Sequence, residues 1–230
     1  MRCKAGLFSS RTLSGEPPFS AVAMLLHMEG ANNSTAIVDS SLSQRTIRRR
    51  SSAFISTEQS RFGSSSLKGG QGFEYEYTQA EAVPLVLGSA NFTLEYFLRL
   101  HAMPGSNGYT LLYLYNISTY HDLEASLNSS GQLSLATYVG GTASASVAAT
   151  IPLFQWLHVA IVREGSAIRL YLDGTQMLTL TTTRNFGNST FYVSAGGTLS
   201  YVDEFRLTAG FARYPDGVSF TPPSSQFPDA

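Results

Sequence analysis

Cysteine is almost absent from this chain: among 230 residues there is one, Cys3. No intrachain disulfide can form, which excludes the small secreted scaffold that relies on bridges in place of a core. Charge is scarce as well, at 13% of residues, and only two of the fifteen cations are lysine. With 43% hydrophobic residues the core can be large, so the surface has to be filled by Ser, Thr, Asn, Gly and Tyr. Such a surface suits an extracellular or particle-borne β protein. No stretch approaches 18 apolar residues, so no membrane-spanning segment is expected. The opening "MRCKAGLFSSRTLSGEPPFS" lacks the apolar run of a signal peptide, and production in a cytosol without an export signal is the expectation. Nucleotide loops, a G-x-S-x-G elbow and cysteine-based metal spacings are also missing.

What is present is a long series of short apolar or alternating runs, divided by Gly, Asn, Ser and Pro. "AVAMLLHM" (21–28) is apolar on both faces, as in a covered central strand, and "NFTLEYFLRL" (91–100) alternates. "QWLHVAIVREGSAIRLYLDGTQMLTLT" (155–181) reads as three strands joined by two tight turns, "EGS" and "DG". No helix-period segment exceeds about two turns, the best being "AGFAR" at 209–213. A dozen or so strands at these spacings predict an all-β fold, a two-sheet antiparallel jelly-roll sandwich. Residues 1–20 read as an N-terminal arm suited to docking, and 21–230 as one domain. The formal charge of −1 hides an asymmetry: residues 1–68 hold nine Lys/Arg against four Asp/Glu, and 69–230 hold six against twelve.

Four places invite a functional reading. Tyr109, Tyr113 and Tyr115 fall on one face of a strand by alternation, with Tyr120 just beyond, and can form a glycan or partner face. The bland alternative is that they fill the sandwich. Arg45, Arg48, Arg49 and Arg50 in "QRTIRRRSS" form a basic docking patch for an acidic protein or glycan, or merely guard an edge strand. Nucleic acid is not expected, because no aromatic residues interleave with the cluster. Glu74 and Glu76 in "FEYEY" face the same way at about 6.5–7 Å between Cα atoms, which resembles a glycosidase pair, but supporting acids are missing. The four histidines lie far apart with no ligand spacing. No catalytic residue is assigned and an enzyme is not expected. Lastly, "YVDEFRLTAGFARYPDGVSF" (201–220) begins with two adjacent acids in a strand. Alternation puts Asp203 beside Phe205 and Leu207, where a carboxylate needs a metal, an arginine or N–H donors.

"VAMLLHMEG" (22–30), "ISTEQSRFGSSSL" (55–67), "FTLEYFLRL" (92–100), "WLHVAIVREGSAIRLYLDG" (156–174) and the 201–220 stretch continued by "FTPPSSQFP" occur in an order that resembles the concanavalin A-like, laminin-G-like domains of tailed-bacteriophage structural proteins. The resemblance spans nearly the whole chain, about residues 21–229. It implies a jelly roll with a non-enzymatic role in virion assembly, capsid decoration or tail-borne host attachment. It also implies other virion proteins and host-surface polysaccharide as partners. A homo-oligomer and a scattered monomer are both compatible with it. A secreted lectin is the alternative, and a glycoside hydrolase the outsider. Many members of the wider fold carry one structural Ca²⁺ near the first and last strands. The resemblance would place it at Asp203 and at Glu29, which stands where the family usually has Asp in "HFDG". An internal hydrogen-bonding role is the alternative for Asp203. The "DGTQ" turn matches the family's hairpin, with Asp173 serving turn geometry.

Overall fold

The computed structural model describes residues 16–69, 72–75, 85–106, 108–115, 122–137, 143–149, 151–188, 190–193 and 200–229. After a short 3₁₀ turn at Phe19–Ala21, the described residues form strands β1 (Val22–Leu26), β2 (Arg48–Arg49), β3 (Phe54–Ser56), β4 (Ser66–Lys68), β5 (Phe73–Tyr75), β6 (Val86–Gly88), β7 (Phe92–Leu100), β8 (Tyr109–Tyr115) and β9 (Leu123–Leu127). They continue with β10 (Gln132–Thr137), β11 (Ala143–Ala148), β12 (Trp156–Glu164), β13 (Ala167–Leu172), β14 (Thr175–Thr181), β15 (Phe186–Asn188), β16 (Thr190–Val193) and β17 (Ser200–Ala209). The 155–181 region folds as the three expected strands. The "AGFAR" segment is no helix; its Gly210 takes φ 81° and ends β17.

Two sheets pack face to face. The first orders its strands β14-β13-β12-β7-β17-β4-β3, with β1 also pairing β17; the second runs β11-β10-β9-β8-β16-β5-β2. All strand pairs are antiparallel, as an all-β sandwich of this class requires. The two-stranded β15-β6 ribbon adds Leu87 and Phe186 to the same core, where Phe186 meets Phe92 edge-on at 6.2 Å. Between the sheets lie Met24, Leu26, Leu94, Tyr96, Leu98, Val159, Ile161, Phe205 and Leu207 from one side and Phe73, Leu112, Leu114, Leu123, Leu133 and Leu135 from the other. Tyr96 is fully buried, and its hydroxyl donates to the Leu111 carbonyl at 2.8 Å, so its polar tip is satisfied.

Strand β17 changes neighbour halfway. Tyr201 and Val202 pair with β4, whereas Phe205 to Thr208 pair with β1, and a bulge between Asp203 and Arg206 separates the halves. Glu204, at φ 49°, is the bulged residue. This corrects the face assignment of Asp203. The bulge shifts the alternation, so Asp203 pairs with Phe97 on the outer face while Phe205 and Leu207 enter the core.

Most of the outer face of the first sheet is not a surface. Thr93, Glu95, Phe97, His158, Ala160, Val162, Tyr171 and Thr208 are all buried there. The segment after β17 crosses this face. Tyr214 and Phe220 stack at 3.5 Å against Tyr171, and Phe227 packs with Leu25 and Phe97. Glu95 anchors the layer. Its carboxylate accepts two bonds from Arg206 (3.0 and 2.8 Å), one from Tyr214 (2.7 Å) and one from His158 Nε2 (3.2 Å). Burial alone would raise Glu95, yet the His158 hydrogen bond, the Arg206 charge and Tyr214 outweigh it and hold the carboxyl at about 2. Of the expected arm, residues 16–20 are described: Glu16 pairs with Arg213, and Phe19 packs beside Phe97.

Candidate binding face

The outer face of the second sheet has a different character. Cross-strand partners share a face, and one register row crosses all seven strands: Arg48, Glu74, Tyr192, Tyr113, Glu124, Ala136 and Ser144. A parallel row holds Thr110, Ser126, Ser134 and Ser146. Ser126 and Ser134 share a 2.7 Å hydrogen bond, and Gln132 Nε2 donates to Ser146 at 3.4 Å. Glu74 is fixed by Arg50 at 2.8 Å. Arg48, Ser144 and Ser146 are exposed, and Glu74, Glu124, Thr110, Ser126 and Ser134 are half-buried. Hydroxyls, carboxylates and a tyrosine are thus laid out on a regular 4.8 Å lattice of about that spacing between strands.

The expected tyrosine face is divided. A bulge between Thr110 and Leu112 changes the phase of β8, so Tyr109 pairs with Leu127 and packs against the core, while Tyr113 pairs with Glu124 on the outer face. Burial pushes the Tyr109 hydroxyl above its ordinary range. Tyr113 is 9% exposed, so it presents little more than an edge. Tyr115 continues β8, but its side chain, like Tyr120 and Glu76, lies outside the described residues.

The four arginines do not act as one patch. Arg45 is buried: its backbone N–H donates to Asp39 at 2.8 Å and its Nε donates to the Ala23 carbonyl at 3.1 Å. Arg48 and Arg49 form the exposed edge strand β2, as edge protection requires. Arg49 donates to the carbonyls of Ser51 and Ala53, and Arg50 is committed to Glu74. Sequence adjacency suggested a cluster; a two-residue strand after a turn sends the side chains to separate places.

Asp203 and Glu29 hold one loop between them, from opposite ends. Where β17 leaves β4, the edge of the strand has no neighbour, and the 61–65 loop fills the gap. Asp203 Oδ2 accepts from the N–H groups of Arg61 (2.6 Å) and Phe62 (3.2 Å), and Oδ1 accepts from the Glu204 N–H at 2.9 Å. Glu29 accepts from the N–H and hydroxyl of Ser64 (2.9 and 2.7 Å) and from Ser65. Gly63 has φ +60°, and a Cβ there would lie 1.9 Å from Glu29 Oε1, so the grip requires glycine. These oxygens are aimed at N–H and O–H donors, the environment of a hydrogen-bonding carboxylate and not of a Ca²⁺ ligand set, which needs six to eight oxygens around the ion. No group of three His, Cys, Asp or Glu able to hold a metal occurs among the described residues. The donor set fits the internal role for Asp203.

Burial raises Asp203 and Glu204 adds to the effect; the three backbone bonds pull the other way, leaving the carboxyl at about 7. Burial works against Glu29 too, but the Ser64 bonds hold it below the ordinary carboxylate range. Glu204, the second acid of the pair, faces the chain's last residues. His27 Nδ1 donates to it at 2.9 Å, the Phe227 N–H donates to it at 3.0 Å, and His27 Nε2 reaches Asp229 at 3.0 Å. The Glu204 hydrogen bond raises His27 to about 9 despite partial burial. The two adjacent acids are therefore a double clasp, one for the 61–65 loop and one for the C-terminal segment. Sequence reading found the pair but missed His27 as its counter-ion.

A two-sheet antiparallel jelly roll with one covered outer face and one polar, tyrosine-bearing face defines a lectin-like sandwich. The chain belongs to the Laminin_G_3 family, described as the concanavalin A-like lectin/glucanases superfamily, which its residues 69–208 match. Among solved structures it is similar to the binding domain of Paraclostridial mosquitocidal protein 1 (TM-score 0.62, 14% identity, covering 85% of this chain and 50% of that one). It is also similar to botulinum neurotoxin type C, whose passage into cells depends on two ganglioside molecules (0.60, 12%, 86% and 50%). A third is Trypanosoma rangeli sialidase in complex with sialic acid (0.59, 12%, 83% and 31%). The chain spans half or less of the length of these proteins, and at such identities the likeness is one of fold. No curated protein matches it in sequence.

Proposed function

We propose that this chain is a non-enzymatic glycan-binding sandwich borne on a tailed-phage particle, where it serves in assembly or decoration and contacts host-surface polysaccharide through the outer face of the second sheet. One observation carries the glycan reading: of the two outer faces, most of the first is covered by the C-terminal segment, while the second leaves carboxylates, hydroxyls and Tyr113 in register across seven strands. Sugar hydroxyls are recognised by such acceptors, and an amphipathic tyrosine offers both a ring and an O–H. The virion setting rests on the ordered sequence resemblance to phage structural domains, and the neighbours' ganglioside and sialic acid contacts agree with a sugar-binding role.

Among the described residues of this face, spacing supports a binder over a hydrolase; Glu76, the acid expected to pair with Glu74, lies outside the described residues. Glu74 and Glu124 are separated by three inter-strand steps, about 14 Å. Retaining glycosidases need about 5–5.5 Å and inverting ones about 6.5–9.5 Å between the two carboxyl groups.

The test is titration of a panel of neutral and acidic oligosaccharides into the purified chain, with Tyr113→Ala and Glu124→Gln beside the parent. Loss of binding by about ten-fold in either variant, without sugar cleavage, is the expected result. Undiminished binding in both variants sinks the assignment to this face. Gold-labelled antibody on intact phage tests the setting: label on particles is expected, and unlabelled particles return the secreted lectin.

A further inference from the structure

A second row of interest crosses the first sheet on its outer face, at the margin of the C-terminal cover, where Trp156 packs against the Phe97–Phe227 cluster. Phe54, Lys68, Tyr201, Arg99 and Trp156 are consecutive register partners on β3, β4, β17, β7 and β12. Aromatic rings and cations thus alternate along one line. Lys68 lies 6.0 Å from the Phe54 ring and 5.6 Å from that of Tyr201, and it pairs with Glu58, which also accepts from the Tyr201 hydroxyl.

At the open end of this row stands Phe154. It is 57% exposed, and its backbone takes φ 61°, a conformation that costs a bulky residue about 1–3 kcal/mol. Both of its backbone groups are fixed. The N–H donates to the Leu100 carbonyl at 2.7 Å, and the carbonyl accepts from Arg99 Nη1. A strained backbone locked on both sides to hold a large apolar ring in water has no packing rationale. The ring lies 5.1 Å from His101, which lies 5.1 Å from Tyr201, so three rings step down from solvent to the sheet.

Arg99 Nε donates to His101 Nε2 at 3.2 Å. An imidazole nitrogen that accepts is unprotonated, so His101 carries its proton on Nδ1 and offers it as a donor. Burial, with help from Arg99, pushes the His101 pKa down, consistent with this neutral form. No carboxylate lies within 4 Å of the Arg99 guanidinium among the described residues. Its fork keeps donors to spare, flanked by the Tyr201 and Trp156 positions.

We propose that Phe154, His101 and Arg99 form a binding site for a carboxylate-bearing sugar, a uronic or sialic acid residue. The ring of Phe154 stacks on the apolar face of the pyranose, Arg99 pairs with its carboxylate, and His101 Nδ1–H donates to a hydroxyl. A planar carboxylate suits the guanidinium fork better than it suits a lysine. The site lies on the other sheet from the face carrying Tyr113 and does not depend on it.

Calorimetry on the full chain tests this with four probes: trigalacturonate, its methyl ester, α2,3-sialyllactose and lactose. At least one acidic probe should bind, with its neutral counterpart weaker by at least about ten-fold. Binding by trigalacturonate alone assigns the site to uronates, and by sialyllactose alone to sialic acids. Arg99→Gln and Phe154→Gly should each weaken the acidic probe by a similar factor. Phe154→Gly also relieves the positive φ, so its melting temperature should hold or rise while binding falls. Equal binding of acidic and neutral probes, binding indifferent to Arg99→Gln, or no binding of either acidic probe overturns the proposal.

Discussion

Replacing His27 with Gln, and raising the pH through 9, should loosen the same corner of the molecule. The imidazole bridges buried Glu204 and Asp229 and is held at about 9, against 6.5 for an ordinary histidine. The sign follows from linkage: a base whose folded pKa is raised adds stability that is whole below 6.5 and vanishes as pH climbs through 9. At about 1.36 kcal/mol per pH unit the full window is worth about 3.4 kcal/mol, of which about 2 falls between pH 7.5 and 9.5. Asp229 is 69% exposed, so water screens half the link and about 1 kcal/mol remains in the measurable interval. Asp203, whose midpoint lies near 7, still titrates in part above pH 7.5, and its share is common to parent and variant. The assay is urea denaturation of parent and His27→Gln at both pH values, taking the difference of differences so that tyrosines and lysines cancel. The variant should lack the pH-dependent loss. An identical loss in parent and variant refutes the bridge.

Asp203 gives the opposite end of the pH scale. Its folded pKa near 7 lies above its ordinary 3.8, so the unfolded chain ionises first and stability declines as pH rises between these values. Asp203→Asn should flatten that decline, measured by melting temperature from pH 4 to 7. Glu95→Gln leaves buried Arg206 with only the exposed Glu16, at 3.8 Å, as counter-charge and should cost about 3 kcal/mol in chemical denaturation. Acidification of the parent should show the complementary effect: Glu95 contributes above its ordinary 4.5, and that contribution disappears as pH falls through 2, visible as a steep loss of near-ultraviolet circular dichroism.

Local chemistry made some of this legible from residues alone. The 155–181 strands were readable because "EGS" and "DG" are strong turn signals, and because pairing runs without a shift between β12 and β13 and shifts once between β13 and β14, at Met177. Alternation misled wherever an extra residue was inserted. One bulge in β8 separates Tyr109 from Tyr113, and one in β17 takes Asp203 out of line with Phe205. The only local sign of the second was the acidic pair itself, since a strand with both faces buried has no ordinary place for two carboxylates. The rows that define the two proposed binding faces were not readable at all. They join residues from strands far apart in the chain, and register between such strands is set by packing of the finished core. Arg99 gave no signal as one cation in a regular strand; its partners Tyr201 and Trp156 arrive only through pairing.

The cover closes the part of the first sheet around Tyr171, His158 and Glu95, and it can be lifted at one atom. Gly174 sits in the β13–β14 turn with φ +74°, and a Cβ there would lie 1.8 Å from the Phe220 carbonyl oxygen and 2.8 Å from its carbon. Neither is a flexible side-chain tip, so Gly174→Ala must push the covering segment away. Phe220 would leave its stack on Tyr214 and its edge contacts with Tyr171 and His158. Tyr214 would then release Glu95, while Arg206 stays bound to it. Limited trypsin digestion reads the event directly, because Arg213 precedes Tyr214 and is held by Thr93 and Thr208 only while the segment lies flat. The variant should be cut after Arg213 well before the parent, with stability lowered by more than the about 1 kcal/mol of backbone strain alone. Sugar binding through the second sheet should survive, since no strand of that sheet touches the displaced segment by pairing. Unchanged cleavage in a folded variant would mean that the segment does not seal this face, and the contrast between one closed and one open face would fall with it.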